Sequence, residues 1–362
     1  MKSRIIIIGV FLTLLLLSGC GRPAEPLTVG FWNVENLFDL EDDPATNDEE
    51  FAAGGRKQVT VAILKQKLEH LSEVLSDLDA DVVGLVEVEN RAVLEMLNRQ
   101  FPGRDYSIVH YDSPDERGID CALLYDAQRF RVLSSEPIPV DLGSAGPTRD
   151  ILYIIGKYAG KKLHLFVNHW PSHYGGTEAT IPLRAKAART LRTRVDQILA
   201  KDHTAEILIM GDLNDGPTDP SVHAHLGAVL NRPDPTAGTT RKEPCSEEQR
   251  LACGGCDGEG HGLESERVLL WNLMAPFEGK VNGTTYKYRG RDANLDQMIV
   301  SPGLADDRGL RIVENSLAIM DKPKYRQQGG EYRGYPYRFW AGDRLLGGYS
   351  DHLALRVLIE RQ

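Results

Sequence analysis

The chain has 362 residues, 41% of them hydrophobic and 26% charged, and its 42 Lys and Arg against 52 Asp and Glu give a formal net charge of −10. This composition is ordinary for a soluble globular protein. The acidic balance excludes a protein that coats nucleic acid electrostatically, because such proteins carry a basic footprint.

In chain order, Lys2 and Arg4 come first, followed by an almost unbroken apolar run from Ile5 to Leu17 that closes on Leu17-Ser-Gly-Cys20. The pattern is a secretory signal, too short and wrongly flanked for a spanning helix. Cys20, directly after small residues, resembles a bacterial lipoprotein cleavage site. That resemblance implies removal of residues 1–19, acylation of Cys20 and membrane attachment on the exported side of the cell envelope, periplasmic or extracellular. Residues 20–26 are then a tether, and 27–362 are long enough for one large domain or two small ones. Loss of Lys2 and Arg4 takes the net charge from −10 to −12.

Within 27–362, apolar runs at Leu27–Val34, Asp81–Glu87, Tyr106–His110, Cys121–Tyr125 and Phe130–Leu133 read as strands, as do Ile151–Tyr158 and Leu163–Asn168, which the turn Ala159-Gly-Lys-Lys162 joins as a hairpin. Ile207–Met210, Val268–Asn272, Thr285–Tyr288, Leu295–Val300 and Leu353–Ile359 complete the set. Apolar residues at helical spacing predict helices over Val59–Leu78, Arg91–Asn98 and Leu183–Leu199. Short strands outnumber helices and the order is mixed. The expectation is an α/β sandwich, two sheets face to face with helices on the outer faces, forming one domain. Cys121 lies in an apolar strand and reads as an inert buried thiol. Cys245, Cys253 and Cys256 share a Gly- and Glu-rich stretch. In an oxidising compartment they suggest one disulfide, or plain loop thiols, ahead of a zinc half-site completed by His261.

One stretch organises the rest: Ile207-Leu-Ile-Met-Gly-Asp-Leu-Asn-Asp-Gly216. The apolar run is a buried strand, and Asp212 and Asn214, two residues apart, fall on one face of its end. A carboxylate beside a carboxamide suits a hard cation and a phosphate oxygen. Other strands end in residues of the same chemical kind: Asn33, Glu87 and Asn168-His169. Asp296 opens one strand and Ser350-Asp351-His352 precedes the last.

The ordered set Trp32-Asn33, Leu85-Val86-Glu87, Asn168-His169, Gly211-Asp-Leu-Asn214, Leu295-Asp296 and Ser350-Asp351-His352 resembles the endonuclease/exonuclease/phosphatase superfamily. That group contains deoxyribonuclease I, apurinic endonucleases, inositol polyphosphate 5-phosphatases and neutral sphingomyelinases. The stretch Arg117-Gly-Ile-Asp-Cys-Ala-Leu-Leu-Tyr125 further resembles its extracellular-nuclease branch. The resemblance implies a deoxyribonuclease I-like fold and a divalent-metal-dependent phosphodiester hydrolase, with Mg²⁺ as the ion and Mn²⁺ or Ca²⁺ as alternatives. It implies Glu87 as principal metal ligand with Asn33 and Asp351 around the same ion. Asp212 orients or deprotonates the attacking water, and Asn214 holds the phosphate. His352, oriented by Asp296, completes the acid/base pair, and His169 donates to a phosphoryl oxygen. Arg117, Arg149 and Asn168 are the expected substrate contacts.

Lys322–Tyr349 interleaves Arg, Lys, Tyr and Gly and leads straight into Asp351-His352, so it belongs beside the site. Basic and aromatic interleaving suits a phosphate backbone and bases, although a loop packed by its own aromatics reads the same way. Trp170, Arg149 and Tyr174 are expected on the same rim. The function expected is an exported, lipid-anchored nuclease; no stable protein partner is implied. The alternative in the same fold is a phosphatase or phospholipase C-type hydrolase on inositol phosphates or sphingomyelin. A non-enzymatic surface lipoprotein is a third reading, disfavoured by the full set of catalytic residue types.

Overall fold

A computed structural model of the protein describes residues 25–101, 104–233, 240–241, 267–280 and 283–362. Cys20 and the remainder of the leader, together with Cys245, Cys253, Cys256 and His261, lie outside the described residues. The elements are β1 (Leu27–Leu37), α1 (Val61–Leu78), β2 (Val82–Val88), α2 (Arg91–Asn98), β3 (Ser107–His110), β4 (Asp120–Tyr125), β5 (Arg131–Ile138), β6 (Ile151–Tyr158), β7 (Lys161–His169), α3 (Thr177–Lys201) and β8 (Ile207–Asp212). After these come β9 (Ala228–Val229), β10 (Thr240–Arg241), β11 (Arg267–Val268), β12 (Leu270–Asn272), β13 (Tyr286–Tyr288), β14 (Arg291–Ala293) and β15 (Asp296–Val300). The last are β16 (Leu310–Ile312), β17 (Ala318–Ile319), β18 (Trp340–Ala341), β19 (Arg344–Leu345) and β20 (Leu355–Arg361).

Two seven-stranded sheets carry the fold: β16-β20-β1-β2-β4-β3, with β17 also on β20, and β5-β6-β7-β8-β15-β12-β9. Period-two alternation assigns each strand residue to a layer. Val29 and Phe31 of β1, Leu165 and Val167 of β7, Leu208 and Met210 of β8, and Met298 and Val300 of β15 form the core between the sheets. The alternate residues face outward under helices. Trp32 and Val34 pack with Leu71, Leu75 and Leu78 of α1 and Leu94 and Leu97 of α2. Phe166, Ile207 and Ile209 pack with Ala188, Leu191 and Val195 of α3. The expected two-sheet sandwich with outer helices is the structure found.

Three elements differ from expectation. α3 begins at Thr177 and carries Pro182 inside it, where the sequence reading had Pro182 ahead of a helix start at Leu183. Pro182 is the sixth residue of the helix, past the first four N–H groups, so it removes one i→i−4 hydrogen bond, to the Glu178 carbonyl, in the second turn. β5 runs on to Ile138 as a mostly solvent-facing edge strand, which accommodates Pro137. Lys322–Tyr349 carries no long element, and Tyr325, Phe339 and Trp340 in it are buried.

Candidate active site

The same alternation that builds the core aims the polar strand ends. Asp212 continues the parity of Leu208 and Met210, Asp296 that of Met298 and Val300, His169 that of Leu165 and Val167, and Asn33 that of Val29 and Phe31. All four therefore leave the layer between the sheets at one end. In register, His169 lies beside Asp212 and Asp212 beside Asp296, so one row crosses β7, β8 and β15. Glu87 is the exception to this parity. It follows Val86, an inter-sheet residue, and would face the helices on a regular strand. Its φ of +63° and the register break between Val86 and Val88 swing it back. Its Oε2 accepts from the Asn36 backbone N–H (2.9 Å) and its Oε1 from Asn33 Nδ2 (3.2 Å).

Asp296 Oδ2 accepts from His352 Nδ1 at 2.7 Å, and His352 Nε2 stands 3.7 Å from Asp212 Oδ2. Burial alone would push the His352 imidazole down; the carboxylates of Asp296 and Asp212 outweigh it and hold the ring well above the usual histidine range. Tyr286 lies against the ring at a centroid distance of 4.7 Å, and the Trp32 indole N–H donates to the His352 carbonyl (2.9 Å). Ser350 Oγ accepts from the His352 N–H and donates to the Asn33 carbonyl, tying the loop to β1. Burial raises Asp212 to about 6, opposed by His352 and by hydrogen bonds from Asn33 Nδ2 (3.0 Å) and the Asn214 N–H (2.9 Å).

His169 is largely buried at the cavity wall, with Nε2 3.8 Å from Glu87 and 3.9 Å from Asp212 and no hydrogen-bond partner at Nδ1. Burial, reinforced by Arg149, Arg117 and His352, pushes its pKa well down, so it is a neutral imidazole with a donor to offer. Glu87, Arg117, His169, Asp212, Asn214, Asp351 and His352 all line one open cavity of about 670 Å³.

Hard oxygen donors converge on this cavity. Glu87, at the end of β2, and Asp351, in the loop before β20, both face it, and Asp212 sits between Asn33 and His352. Such a donor set, with the Asp212 carboxyl pushed toward its neutral form by burial, fits a divalent cation. His352, Asp296 and Asp212 also place one ligand-type atom each within 4.8 Å of one another, and within that group His352 Nδ1 and Asp296 Oδ2 are already engaged with each other at 2.7 Å.

Four expected contacts sit differently. Asn33 turns Nδ2 toward Glu87 and Asp212 and spends Oδ1 on the Glu35 N–H (3.0 Å), so it positions two carboxylates and presents no oxygen to an ion. Asn168 has the opposite parity to His169. Its side chain is 0% exposed, bonded to the Met210 carbonyl and the Trp170 indole, and cannot touch substrate. Arg149 is buried, donating to Asp115 (2.9 Å) and the Trp170 carbonyl (2.7 Å). Trp170 is a core residue at 1% exposure, whereas Tyr174, at 94%, does stand on the rim. Arg117 is half exposed and lines the cavity, 3.8 Å from Asp115. Asn214 lines it too, at φ +52°, with Nδ2 donating to the Trp170 carbonyl (3.0 Å).

Two residues of the site, Tyr286 and Glu35, escaped the sequence reading. Tyr286 had no signal beyond its strand. Arg338, within the basic-aromatic span expected beside the site, holds Asp351 Oδ2 at 2.6 Å, a partner recognisable only in three dimensions. Glu35 shares the parity of Asn33, which was the available clue. It is buried, accepts from the Phe339 and Trp340 N–H groups and lies 3.5 Å from Arg338. Burial, with Asp351 adding to it, raises Glu35 to about 7.

Two β-sheets that deliver carboxylates, histidines and a carboxamide to one sheet-edge cavity define a phosphoester hydrolase of the sandwich type. The chain belongs to the endonuclease/exonuclease/phosphatase family, whose model matches residues 28–239 and 259–361. Members of this family are hydrolases that typically depend on a divalent metal. Similar solved structures include an endonuclease/exonuclease/phosphatase family protein from Bacteroides thetaiotaomicron, with 16% identity, a TM-score of 0.54, and 93% of this chain and 95% of that one covered. A mannosyl-6-phosphatase of the same organism shares 16% identity at a TM-score of 0.53 (92% and 99% covered). Humanized D. rerio TDP2 shares 16% identity at a TM-score of 0.53 (92% and 99% covered). At these identities the likeness is one of fold. No curated protein matches the sequence.

Proposed function

We propose that this hydrolase is a Mg²⁺-dependent phosphodiesterase acting on nucleic acid, exported and attached to the membrane through an acylated Cys20. The observation that carries the catalytic part is the Asp296–His352–Asp212 chain, 2.7 and 3.7 Å per link, opening onto the cavity that Glu87 and Asp351 also line. Glu87 and Asp351 would hold the ion, which supplies charge neutralisation at the phosphoryl oxygens. Asp212, whose carboxyl is raised only to about 6, orients a water and draws its proton. His169, neutral, donates to a non-bridging oxygen where charge develops. His352, held protonated by Asp296, delivers a proton to the leaving oxygen. Arg117 and Asn214 stand where they can hold the phosphate.

A substrate panel tests the reading: single-stranded DNA, RNA, an inositol phosphate and sphingomyelin, each with Mg²⁺ and with chelator. Chelator-sensitive cleavage of DNA or RNA supports it. Hydrolysis of the inositol phosphate or sphingomyelin alone would transfer the site to the phosphatase or phospholipase class, which the net charge of −10 favours. The leader sequence supports export and anchoring.

A further inference from the structure

A second cavity, of about 860 Å³, adjoins the first, and the two share Tyr288 and Asp351 in their walls. Its wall is built from two hairpins. β13 and β14 turn at Arg289-Gly290, both in the left-handed region (φ +47° and +80°). β18 and β19 turn at Gly342-Asp343. The Tyr335 hydroxyl accepts from the Gly290 N–H at 2.6 Å, so the basic-aromatic segment is pinned to the first hairpin.

Among the charged groups of this cavity, Arg338 is engaged by Asp351 and Lys287 by Asp292 (3.2 Å). Arg289 and Arg344 have no ion pair among the described residues, and Arg289 lies only over the Tyr288 ring (5.2 Å). Arg291, at the base of the same hairpin, faces the catalytic cavity. Tyr288 is 51% exposed and Tyr332 45%, large aromatic faces presented to solvent. In a chain of net charge −10, a wall that sets Lys287, Arg289, Arg338 and Arg344 against Glu331 and Asp351, beside two open tyrosines, is a local inversion of sign. One phosphate in the catalytic cavity does not need it.

We infer that this second cavity is a subsite for the continuation of a single-stranded polynucleotide. Its bases stack on Tyr288 and Tyr332, and its next phosphates meet Arg289 and Arg344. Sequence-tolerant stacking and phosphate-tracking arginines are the recognition chemistry of single strands. The inference rests on the nuclease reading and narrows it to substrates longer than the scissile unit.

The test compares kcat/KM for bis(p-nitrophenyl) phosphate, a thymidine dinucleotide and a thymidine octanucleotide. Each is measured with Mg²⁺ for the full chain and for the double variant Arg289→Ala, Arg344→Ala, with folding checked by circular dichroism. Expected is an octanucleotide advantage over the dinucleotide of roughly ten-fold or more in the parent. The double variant should erase it while hydrolysis of the small diester stays within about two-fold, and the log–log salt slope for the octanucleotide should shrink by about one. Equal loss on all three substrates, or an unchanged octanucleotide rate, overturns the subsite. If the parent cleaves both nucleotides with equal kcat/KM, the subsite alone fails. If it cleaves only the small diester, the nuclease reading fails and the subsite with it. Binding to phosphatidylglycerol vesicles that the double variant loses, with octanucleotide kinetics intact, would overturn it in favour of a membrane-facing surface.

Discussion

His352 stands between two carboxylates, 2.7 Å from Asp296 and 3.7 Å from Asp212, and both links are buried. If the three act as one proton-handling unit, His352→Ala lowers kcat by roughly 10²- to 10⁴-fold. Asp296→Ala causes a loss of the same kind, and the double variant is little worse than the more damaged single, because parts of one unit are not additive. A double-mutant cycle on kcat with circular dichroism as the folding check decides it. Losses that multiply in well-folded variants would separate the two residues. At this scale much of the site was legible in the sequence. Asn33, His169, Asp212 and Asp296 continue the two-residue period of their apolar strands, and the period aims them. The misreadings have physical causes. Asn168 differs from His169 by one residue, which reverses its face and buries it against Trp170. Asn33 was expected as an ion ligand, but the direction of a carboxamide depends on neighbours that sequence does not display. Glu87 reaches the cavity only because its backbone adopts φ +63°, a conformation no residue pattern announces.

At the scale of elements, β7 and β8 must lie close enough to align His169 with Asp212, and Gly211 permits this. A Cβ on Gly211 would fall 2.6 Å from both the Asn168 Cβ and the Asn168 carbonyl oxygen, and backbone cannot yield cheaply. Gly211→Ala should destabilise the fold by about 1–3 kcal/mol through overpacking. It should also lower kcat in the molecules that remain folded, because the strand shift carries Asp212 with it. Gly329→Ala, with nothing within 4 Å, is the matched control and should stay within about 0.5 kcal/mol of the parent. Chemical denaturation of both variants measures the first effect; equal stabilities would show that β7 and β8 can part without cost. The central strands were legible as continuous apolar runs because both their faces are covered, and α1 and α2 because each has an apolar face of helical period. The span Lys322–Tyr349 was only half legible. Its composition announced a basic-aromatic surface, and Tyr332 is indeed exposed, but the burial of Tyr325, Phe339 and Trp340 follows from tertiary packing. The length of α3 was misjudged because its first turns, from Thr177 to Pro182, do not continue the apolar spacing that marks Leu183–Leu199.

For the whole molecule, two sheets close over one apolar layer and leave their polar ends together, so a single edge of the sandwich concentrates the chemistry. No helix among the described residues is long and apolar enough to cross a membrane. In our proposal, membrane attachment depends on Cys20. Wild type should fractionate with membranes and Cys20→Ala with the soluble material; identical partition of the two would refute the anchor. The proposed leader rests on a sequence pattern of charge, apolar run and small residues, while nothing in the pattern of the chain named the substrate. The central claim is that Glu87 holds a divalent ion on which hydrolysis depends. It is tested most directly by titrating Mg²⁺ into chelator-stripped protein while following hydrolysis of a phosphodiester, for wild type and for Glu87→Gln. The account predicts no activity before Mg²⁺ is added, full recovery in the wild type, and a half-saturating Mg²⁺ concentration raised at least about ten-fold in a Glu87→Gln protein of near-parental stability. Hydrolysis that persists in chelator, or the same half-saturating concentration in both proteins, would contradict it.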